Sequence, residues 1–373
     1  MEDNYAIMKL KNNNKKLKVG VSGILRVKND ADFLDECINS CIDTLDELII
    51  VYNDCSDNTP DIIEKKRLEY PDKIKVYEYP YKVLGVNLSD EEYEKAKLLP
   101  EDSPNLLCSY YNFALSKVNY TYALKIDADQ IYFTEELNKW CSFCRDKFNL
   151  RFKFRYILGF IFQLYLSFYR LISIKIGFIL PLLPQWIIDI FYPSYIEFAK
   201  YLFKKGKACL SMSGINIIRD QNQYYVSLGR KNNLINILPP FNGEGDHVIF
   251  KVSSYTYYKK FDMPYYNSLR SSNYSIIEEF VHPYKVMYIG FFWFHINAMR
   301  SNVRKLVLTV RKNNPDTFLI LSQFIQLKYK TVLNLCDNEM FSLYQRILFS
   351  FVYKANYKKI QMKFIEHDKE NNI

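Results

Sequence analysis

The chain has 373 residues, which is enough for one large domain or two unequal ones with a sizeable buried core. Hydrophobic residues make up 49% of the chain, and this excludes an intrinsically disordered protein. The formal net charge of +9 favours an anionic partner, which leaves nucleic acid, phosphorylated substrates and an anionic membrane surface as alternatives.

The eight cysteines form no recognisable metal or disulfide pattern. Cys141 and Cys144 make a C-x-x-C pair, but no second pair and no nearby histidine completes a zinc site. The first 18 residues are polar and rich in lysine, so we expect no signal peptide. These features predict free thiols and a cytoplasmic protein.

Strand and helix patterns alternate over the first 150 residues. Strands are predicted over 18–27, 47–52, 74–79 and 122–126, and helices over 31–41, 60–70 and 106–117. This alternation predicts an α/β fold with a mixed, mostly parallel sheet and flanking helices. Ligands of such sheets bind beyond the carboxyl ends of the strands.

The stretch 155–203 is strongly apolar, and between 156 and 188 only Arg170 and Lys175 carry charge. A membrane span needs about 20 consecutive apolar residues, and here the two charges and two prolines interrupt the run. A membrane span, a buried helical insert and an amphipathic hairpin in the membrane interface are the three alternatives. We favour the interfacial hairpin, because Trp186, Tyr192 and basic residues lie at its margins.

The remainder of the chain has weaker patterns. Residues 207–219 are predicted to form a strand, and 241–252 an acidic turn that leads into a regular element. The tail from 303 to 364 has helical periodicity and many basic residues. Segment boundaries are therefore expected for a polar arm 1–17, an α/β half 18–150, an apolar insert 151–206, a second half 207–300 and a basic helical region 301–373.

Asp127 and Asp129 end the fourth predicted strand, two residues apart. Side chains at that spacing share a face in extended structure, so both carboxylates can approach one hard cation. An Asp-x-Asp pair alone is common in loops. Its position after a strand of an alternating fold favours a divalent-metal site that neutralises a diphosphate.

Three segments taken in order resemble the inverting family 2 glycosyltransferases of the GT-A fold, of the bacterial lipopolysaccharide, O-antigen and capsule type. They are Arg26-Val-Lys-Asn29, Asn53-Asp-Cys-Ser-Asp-Asn-Thr59 and Lys125-Ile-Asp-Ala-Asp-Gln130. The resemblance covers residues 18–150 well and extends more weakly to about residue 300. It implies a nucleotide-sugar-binding half at 18–150 and an acceptor-binding half at 207–300.

The resemblance also implies roles for individual residues. The donor would contact Arg26, Asn29, Asn53, Asp54, Asn112 and Asp127. Asn53 stands where the family often has an acidic residue, and Tyr111 stands where arginine is usual. Asp129 would coordinate Mn²⁺ or Mg²⁺ together with Asp127, and His295 is the candidate for a further ligand or, alternatively, a core histidine.

An inverting transfer needs a general base within reach of the acceptor hydroxyl. In the family an acidic pair at the start of a helix supplies it, and Gly243-Glu-Gly-Asp-His247 is the best match. Asp246 is the first candidate and Glu244 the second, with an acidic helix cap as the structural alternative. Candidates for the acceptor or sugar pocket are Ser213, Gly214, His247 and Trp293.

The expected function is metal-dependent inverting transfer of a sugar from a nucleotide diphosphate, UDP-hexose or UDP-N-acetylhexosamine, to a glycan or lipid-linked acceptor. Bacterial surface polysaccharide synthesis on the inner face of the cytoplasmic membrane, with peripheral membrane contact, is the implied setting. A non-catalytic carbohydrate-binding or scaffold protein and a sugar nucleotidyltransferase are the alternatives. No nucleic-acid-binding motif is present, so we expect no nucleic-acid partner.

Overall fold

The structure is a computed structural model that describes residues 16–176, 185–221, 223–228, 240–263 and 274–327. The chain divides into two compact units. The first contains residues 1–145, 249–283 and 294–307, and the second contains 146–248, 284–293 and 308–373. The predicted arm before residue 16 and the predicted helical tail beyond residue 327 lie outside the described residues.

The elements follow one another in an alternating pattern over the first 145 residues. These are β1 (Lys18–Val27), α1 (Leu34–Cys41), β2 (Glu47–Tyr52), α2 (Thr59–Glu69), β3 (Ile74–Glu78), α3 (Asp90–Leu98), α4 (Leu107–Ser116), β4 (Tyr120–Asp127), β5 (Gln130–Tyr132) and α5 (Thr134–Arg145). All four strands and all three helices predicted in this region are present, with limits that differ by at most three residues.

The later elements include two long helices and several strands. They are α6 (Arg155–Ile176), α7 (Gln185–Lys204), β6 (Ala208–Asn216), β7 (Ile218–Asp220), β8 (Gln223–Ser227), β9 (Phe241–Lys251), β10 (Tyr257–Met263), β11 (Ser275–Val281), β12 (Lys285–His295), α8 (Ser301–Asn313), β13 (Phe318–Ile320) and α9 (Leu321–Phe324). The predicted apolar helical insert is thus present as α6 and α7. None of the helices in the described ranges has the length and apolar character needed to cross a bilayer.

The first unit is built on a mostly parallel sheet. Strand β1 pairs in parallel with β2 on one side and with β4 on the other, and β2 pairs in parallel with β3. Strand β4 also pairs antiparallel with residues 249–251 of β9. The predicted mixed, mostly parallel α/β fold is therefore confirmed, and the register places Arg26 beside Asp127 where the strands end.

Helix α4 fixes the carboxyl ends of the two central strands. The hydroxyl of its buried Tyr110 donates a hydrogen bond to the carbonyl of Val51 at 2.6 Å and lies 3.2 Å from the carbonyl of Val27. Val27 and Val51 are within the last two residues of β1 and β2, just before the polar loops. The loops that follow β1 and β2 are thereby held close together.

Three features differ from the sequence-based expectations. Helix α3 lies in a stretch that suggested a loop, because its sequence is polar on all sides and only Tyr93 and Ala96 are buried. A capping box between Ser89 and Glu92 starts it. The predicted strand 207–219 is divided between β6 and β7, and the predicted acidic turn in 241–252 is extended backbone of β9.

The second unit contains a helical hairpin and two groups of strands. Helices α6 and α7 pack along each other, with Tyr156 stacked on Tyr201 at 4.6 Å between ring centroids. Strand β6 lies between β9 and β12, and β8 lies between β7 and β13. The seven cysteines with described side chains are all free, as predicted.

Candidate functional site

Asp129 follows β4 and is buried in the first unit. Its Oδ1 lies 3.5 Å from His295 Nε2, and its Oδ2 accepts a hydrogen bond from Arg300 Nη2 at 3.0 Å. Burial raises the pKa of Asp129, but the facing His295 and Arg300 outweigh that effect and hold the pKa well below its usual range. Asp129 is therefore an ionised carboxylate kept in place at the end of a central strand.

Arg300 joins Asp129 to the loop that follows β1. Its Nη1 donates to Asp30 Oδ1, and the three side chains are only 10–12% exposed. Burial and the charge of Asp129 raise the pKa of Asp30, while Arg300 acts in the opposite direction. Two carboxylates thus share one guanidinium.

Arg26 ends β1 beside Asp127 and is packed against aromatic rings of α4. Its guanidinium carbon lies 3.5 Å from the ring centroid of Tyr111 and 5.1 Å from that of Tyr110, and it also donates to the Tyr111 hydroxyl. Burial lowers the pKa of Arg26, but the neighbouring Tyr111 and Glu278 raise it above its usual value overall. Within the described part of the chain, its buried Nε has no hydrogen-bond acceptor.

A second buried cation, Lys125, lies near the ring of Tyr111. Lys125 in β4 is 3% exposed and forms an ion pair with Glu278 at 3.3 Å. Its Nζ lies 5.0 Å from the ring centroid of Tyr111. The ring of Tyr258 also stacks on Tyr111, with 4.6 Å between the ring centroids. Two buried cations, Arg26 and Lys125, therefore lie near the ring of Tyr111.

Asn53 directly follows β2, and its side chain has a fixed orientation. Its Nδ2 donates to the carbonyl of Tyr79 at 2.7 Å and to that of Tyr81 at 2.8 Å. Because both amide hydrogens are used, the positions of Nδ2 and Oδ1 cannot be exchanged without losing these bonds. The buried Oδ1 has no hydrogen-bond donor among the described residues, so an acceptor remains available at the end of β2.

The loops after β1 and β2 are cross-linked. Asn29 has a positive φ of 54° and accepts hydrogen bonds from Ser56 N at 2.7 Å and Ser56 Oγ at 3.3 Å. Asp54, also at positive φ, pairs with Lys28 at 2.9 Å and is exposed. Asp57 accepts from the backbone N–H of Thr59 at 3.0 Å, but the N-cap of α2 is Asn58, which makes no side-chain capping bond.

Asn112 in α4 uses both ends of its amide on the backbone of β10. Its Nδ2 donates to the carbonyl of Tyr258 at 2.7 Å, and its Oδ1 accepts from the Tyr258 N–H at 2.8 Å. These bonds attach β10 to α4. A contact of Asn112 with the nucleotide-sugar donor stays a prediction.

The second unit contains all four predicted pocket residues, of which three have described side chains. Ser213 and Gly214 lie in β6, and Trp293 lies fully buried in β12. A Cβ at Gly214 would come within 2.0 Å of Trp293 Nε1, so only glycine allows this close approach. The indole N–H donates to Asn242 Oδ1 at 3.2 Å.

The predicted base lies in β9. Residues 243–247 are extended backbone there, in contrast to the helix start that the resemblance implies. The side chains of Glu244, Asp246 and His247 lie outside the described part of the structure. Among the side chains that are described, no group of three or more His, Cys, Asp or Glu is arranged to hold a metal ion.

Asp30 and Arg300 were not predicted from the sequence. Asp30 directly follows the Arg26–Asn29 motif, and this adjacency was an available signal. Arg300 is 171 residues away from Asp129, and no local pattern marks it. Lys125 and Glu278 were missed for the same reason, since a buried ion pair across 153 residues has no local sequence pattern.

The first part of the chain is similar to a known protein family. Residues 3–170, less than half of the chain, match the model of the family described as Beta-1,4-N-acetylgalactosaminyltransferase (CgtA). No curated protein matches the chain.

Solved structures resemble parts of the chain. S. aureus TarS 1–349 in complex with UDP-GlcNAc is 22% identical over 33% of this chain and 30% of that chain, with a TM-score of 0.25. Glucosyl-3-phosphoglycerate synthase from Mycobacterium tuberculosis, in complex with Mn²⁺, UDP and phosphoglyceric acid, is 17% identical over 30% of this chain and 34% of that chain, with a TM-score of 0.19. The chain thus spans about a third of the length of either structure. The family match confirms the resemblance inferred from the three motifs, and residues 3–170 are similar to a glycosyltransferase family.

Proposed function

We propose that the chain is a glycosyltransferase that uses a nucleotide-diphosphate sugar. The observation that carries this proposal is the ionised, buried Asp129 at the carboxyl end of β4, held between His295 and Arg300. It lies within the segment that matches the family model. Ligands of parallel α/β sheets bind at this edge, so an anchored carboxylate there supports donor binding.

The nucleobase of the donor would contact Asn53. Its Nδ2 is used by two carbonyls, and its buried Oδ1 has no hydrogen-bond donor among the described residues, so this oxygen would accept a hydrogen bond from the base. The N3–H of uracil is a donor that suits this oxygen, which supports UDP as the nucleotide. Asn29 and Asp54 would shape the same loop, and the family description supports an N-acetylhexosamine, with N-acetylgalactosamine first, as the sugar.

The diphosphate would lie near the guanidinium groups of Arg26 and Arg300 in the first unit. The buried Nε atoms of Arg26 and Arg300 have no acceptor among the described residues, and an anionic oxygen would provide one. Lys125 adds positive charge behind them. Asp127, beside Arg26 in the sheet, would contact the ribose or the metal.

A divalent cation fits the Asp129–His295 pair in part. Ligand atoms at about 2.1 Å from one ion lie about 3 Å apart, and the 3.5 Å between Oδ1 and Nε2 is close to this. A mixed oxygen and nitrogen pair suits Mn²⁺ better than Mg²⁺, which prefers oxygen alone. When bound, the ion would neutralise charge on the leaving diphosphate.

Inversion needs a base on the face opposite the leaving group. The β-linkage in the family description supports inversion, since an α-linked donor sugar then changes its configuration. Asp246, with Glu244 as second candidate, would accept the proton of the acceptor hydroxyl.

Replacement of the catalytic base by its amide should abolish transfer and leave the dissociation constant for UDP unchanged. If Asp246→Asn keeps full transfer while Glu244→Gln loses it, Glu244 takes the role.

The acceptor half at 207–300 would receive a glycan or lipid-linked acceptor, as in bacterial surface polysaccharide synthesis at the cytoplasmic face of the membrane. Ser213, Gly214 and His247 would line its pocket. Trp293 is fully buried, so it would support the pocket wall from behind. Peripheral membrane contact suits a lipid-linked acceptor.

Release of UDP from UDP-N-acetylgalactosamine in the presence of Mn²⁺ tests the proposal. The wild-type protein should release UDP, and Asp129→Asn should reduce the rate by about 10²–10³-fold. Asp61→Asn, an exposed carboxylate on α2, is the matched control and should keep the wild-type rate. Equal rates for Asp129→Asn and wild type, at equal folded fractions, would overturn the assignment.

A further inference from the structure

Helix α6 exposes an unbroken apolar face. The exposed residues with described side chains from Ile157 to Leu171 are all large and hydrophobic: Ile157, Phe160, Ile161, Leu164, Phe168 and Leu171. Their spacing of three and four residues places them on one side of the helix. Phe168 is 62% exposed, although it is among the largest apolar side chains. We call these six residues the α6 stripe.

The opposite side of α6 is tightly packed against α7. Gly159 allows this, because a Cβ there would lie 2.3 Å from the carbonyl oxygen of Ser194. Tyr156, Phe162 and Leu166 are buried on this side. The α6 stripe is therefore not the core face of a loosely packed helix, and its exposure needs another explanation.

Basic residues lie at the end of the hairpin where α6 begins and α7 finishes. Lys147, Arg151, Lys153 and Arg155 are exposed there, and so are Lys205 and Lys207 after α7. Phe152 and Phe154 alternate with them and are 63% and 74% exposed. The sequence from 147 to 176 contains no acidic residue at all.

We propose that the α6 stripe and the adjoining basic residues bind an anionic phospholipid surface, with α6 lying in the plane of the membrane. An apolar helix face inserts into the headgroup boundary, and neighbouring Lys and Arg attract anionic headgroups. A stripe without polar residues, bordered by cations and aromatic rings, matches this chemistry. The choice of a lipid partner rests on the proposed use of a lipid-linked acceptor, while the surface itself does not.

A tryptophan placed in the α6 stripe provides a direct reporter. The native Trp186 lies on α7 and is 63% exposed, whereas Trp140 and Trp293 are 5% and 0% exposed. Full-length Trp186→Phe/Phe168→Trp protein mixed with phosphatidylcholine–phosphatidylglycerol vesicles should show a blue shift of tryptophan fluorescence and quenching by brominated acyl chains. The Trp186→Phe protein should show neither signal and still bind the vesicles. An unshifted, unquenched spectrum of vesicle-bound Trp186→Phe/Phe168→Trp protein would exclude insertion of the α6 stripe.

Sedimentation with vesicles tests the stripe itself. The variant Phe160→Gln/Leu164→Gln/Phe168→Gln should lose about tenfold or more in vesicle affinity, because it removes apolar area from the inserted face. Leu68→Gln/Leu98→Gln is the matched control, since both leucines are exposed on helices of the first unit. Wild-type affinity in the triple variant would overturn the proposal. So would a dimer of the wild-type protein that becomes monomeric in the triple variant and binds no vesicles.

UDP binding separates this inference from the proposed function. The triple variant should bind UDP with Mn²⁺ as the wild type does, because its changes lie outside the predicted donor residues. If vesicle binding is lost and UDP binding is kept, the membrane surface is supported independently. If neither protein binds UDP but the wild type binds vesicles, the proposed function fails and the membrane surface stands.

Discussion

A single amide explains one departure from the family pattern. Asn53 stands where the family often has an acidic residue, and its Nδ2 donates to the carbonyls of Tyr79 and Tyr81. A carboxylate there would place an oxygen against two carbonyl oxygens. The amide is therefore needed to satisfy these carbonyls, while its Oδ1 keeps the acceptor that a carboxylate would offer.

Asn53→Asp should therefore destabilise the protein by about 2 kcal/mol, because two buried carbonyls lose their donors. Urea unfolding measures the change, and UDP affinity should fall with it. Asn138→Asp, at an exposed position of α5, is the control and should leave both unchanged. A fully stable Asn53→Asp protein would show that these hydrogen bonds contribute little.

Arg300 holds two buried carboxylates that come from separate loops. Arg300→Ala should cost about 3–5 kcal/mol of stability, because it leaves Asp30 and Asp129 without their shared cation. Arg300→Lys keeps the charge but not the planar fork, so it should lose less stability and still weaken UDP binding. Urea unfolding and UDP titration measure the two effects.

Arg304→Ala serves as the control for Arg300, since Arg304 is exposed on the same helix, α8. It should match the wild type in both measurements. If Arg300→Ala is as stable as Arg304→Ala, the guanidinium is not the group that stabilises the acidic pair. If only UDP affinity falls, Arg300 acts on the ligand and not on the fold.

Asn112 of α4 is one of the residues that attach the paired strands β10 and β11 to the helices, as Tyr93 and Lys260 also do. Asn112 makes two hydrogen bonds to the backbone of Tyr258, and Tyr258 stacks on Tyr111 beside Arg26. Asn112→Ala should therefore cost about 1–3 kcal/mol and raise hydrogen exchange in β10. Asn138→Ala is the matched helical control. Unchanged exchange in β10 would contradict this anchoring role.

The net charge of the molecule bears on membrane binding. A charge of +9 draws the protein to anionic vesicles, and salt weakens that attraction as the Debye length falls from about 10 Å at 0.1 M to about 3 Å at 1 M. Vesicle affinity should drop over this range but persist, because insertion of the α6 stripe does not depend on charge. The Phe160→Gln/Leu164→Gln/Phe168→Gln variant should be released completely by salt. Salt-independent binding of that variant would contradict the division between charge and apolar contact.

Elements with strong local patterns were predicted well. Strands β1 and β2 have the predicted limits, because a continuous apolar run bounded by polar turns defines a buried strand without reference to the rest of the chain. Helix α3 was missed because it buries only two residues, and the β9 strand was taken for a turn because glycine and acidic residues suggest one. In β9 tertiary contacts override a weak local preference, whereas α3 follows a local signal, the Ser89–Glu92 capping box.

The residues of the site were likewise predicted where the sequence pattern is local and missed where the contact is long-range. The sequence alone determined the order of strands and helices, the position of Asp127 and Asp129 after β4, and the family resemblance of the first half, because each depends on residues close together in the chain. The tertiary structure decided that Arg300 joins Asp129 to Asp30, that Asn53 is oriented by two carbonyls, that Asn112 anchors β10, and which side of α6 is exposed. These depend on groups brought together from distant parts of the chain, since burial and hydrogen-bond geometry arise only when the elements pack.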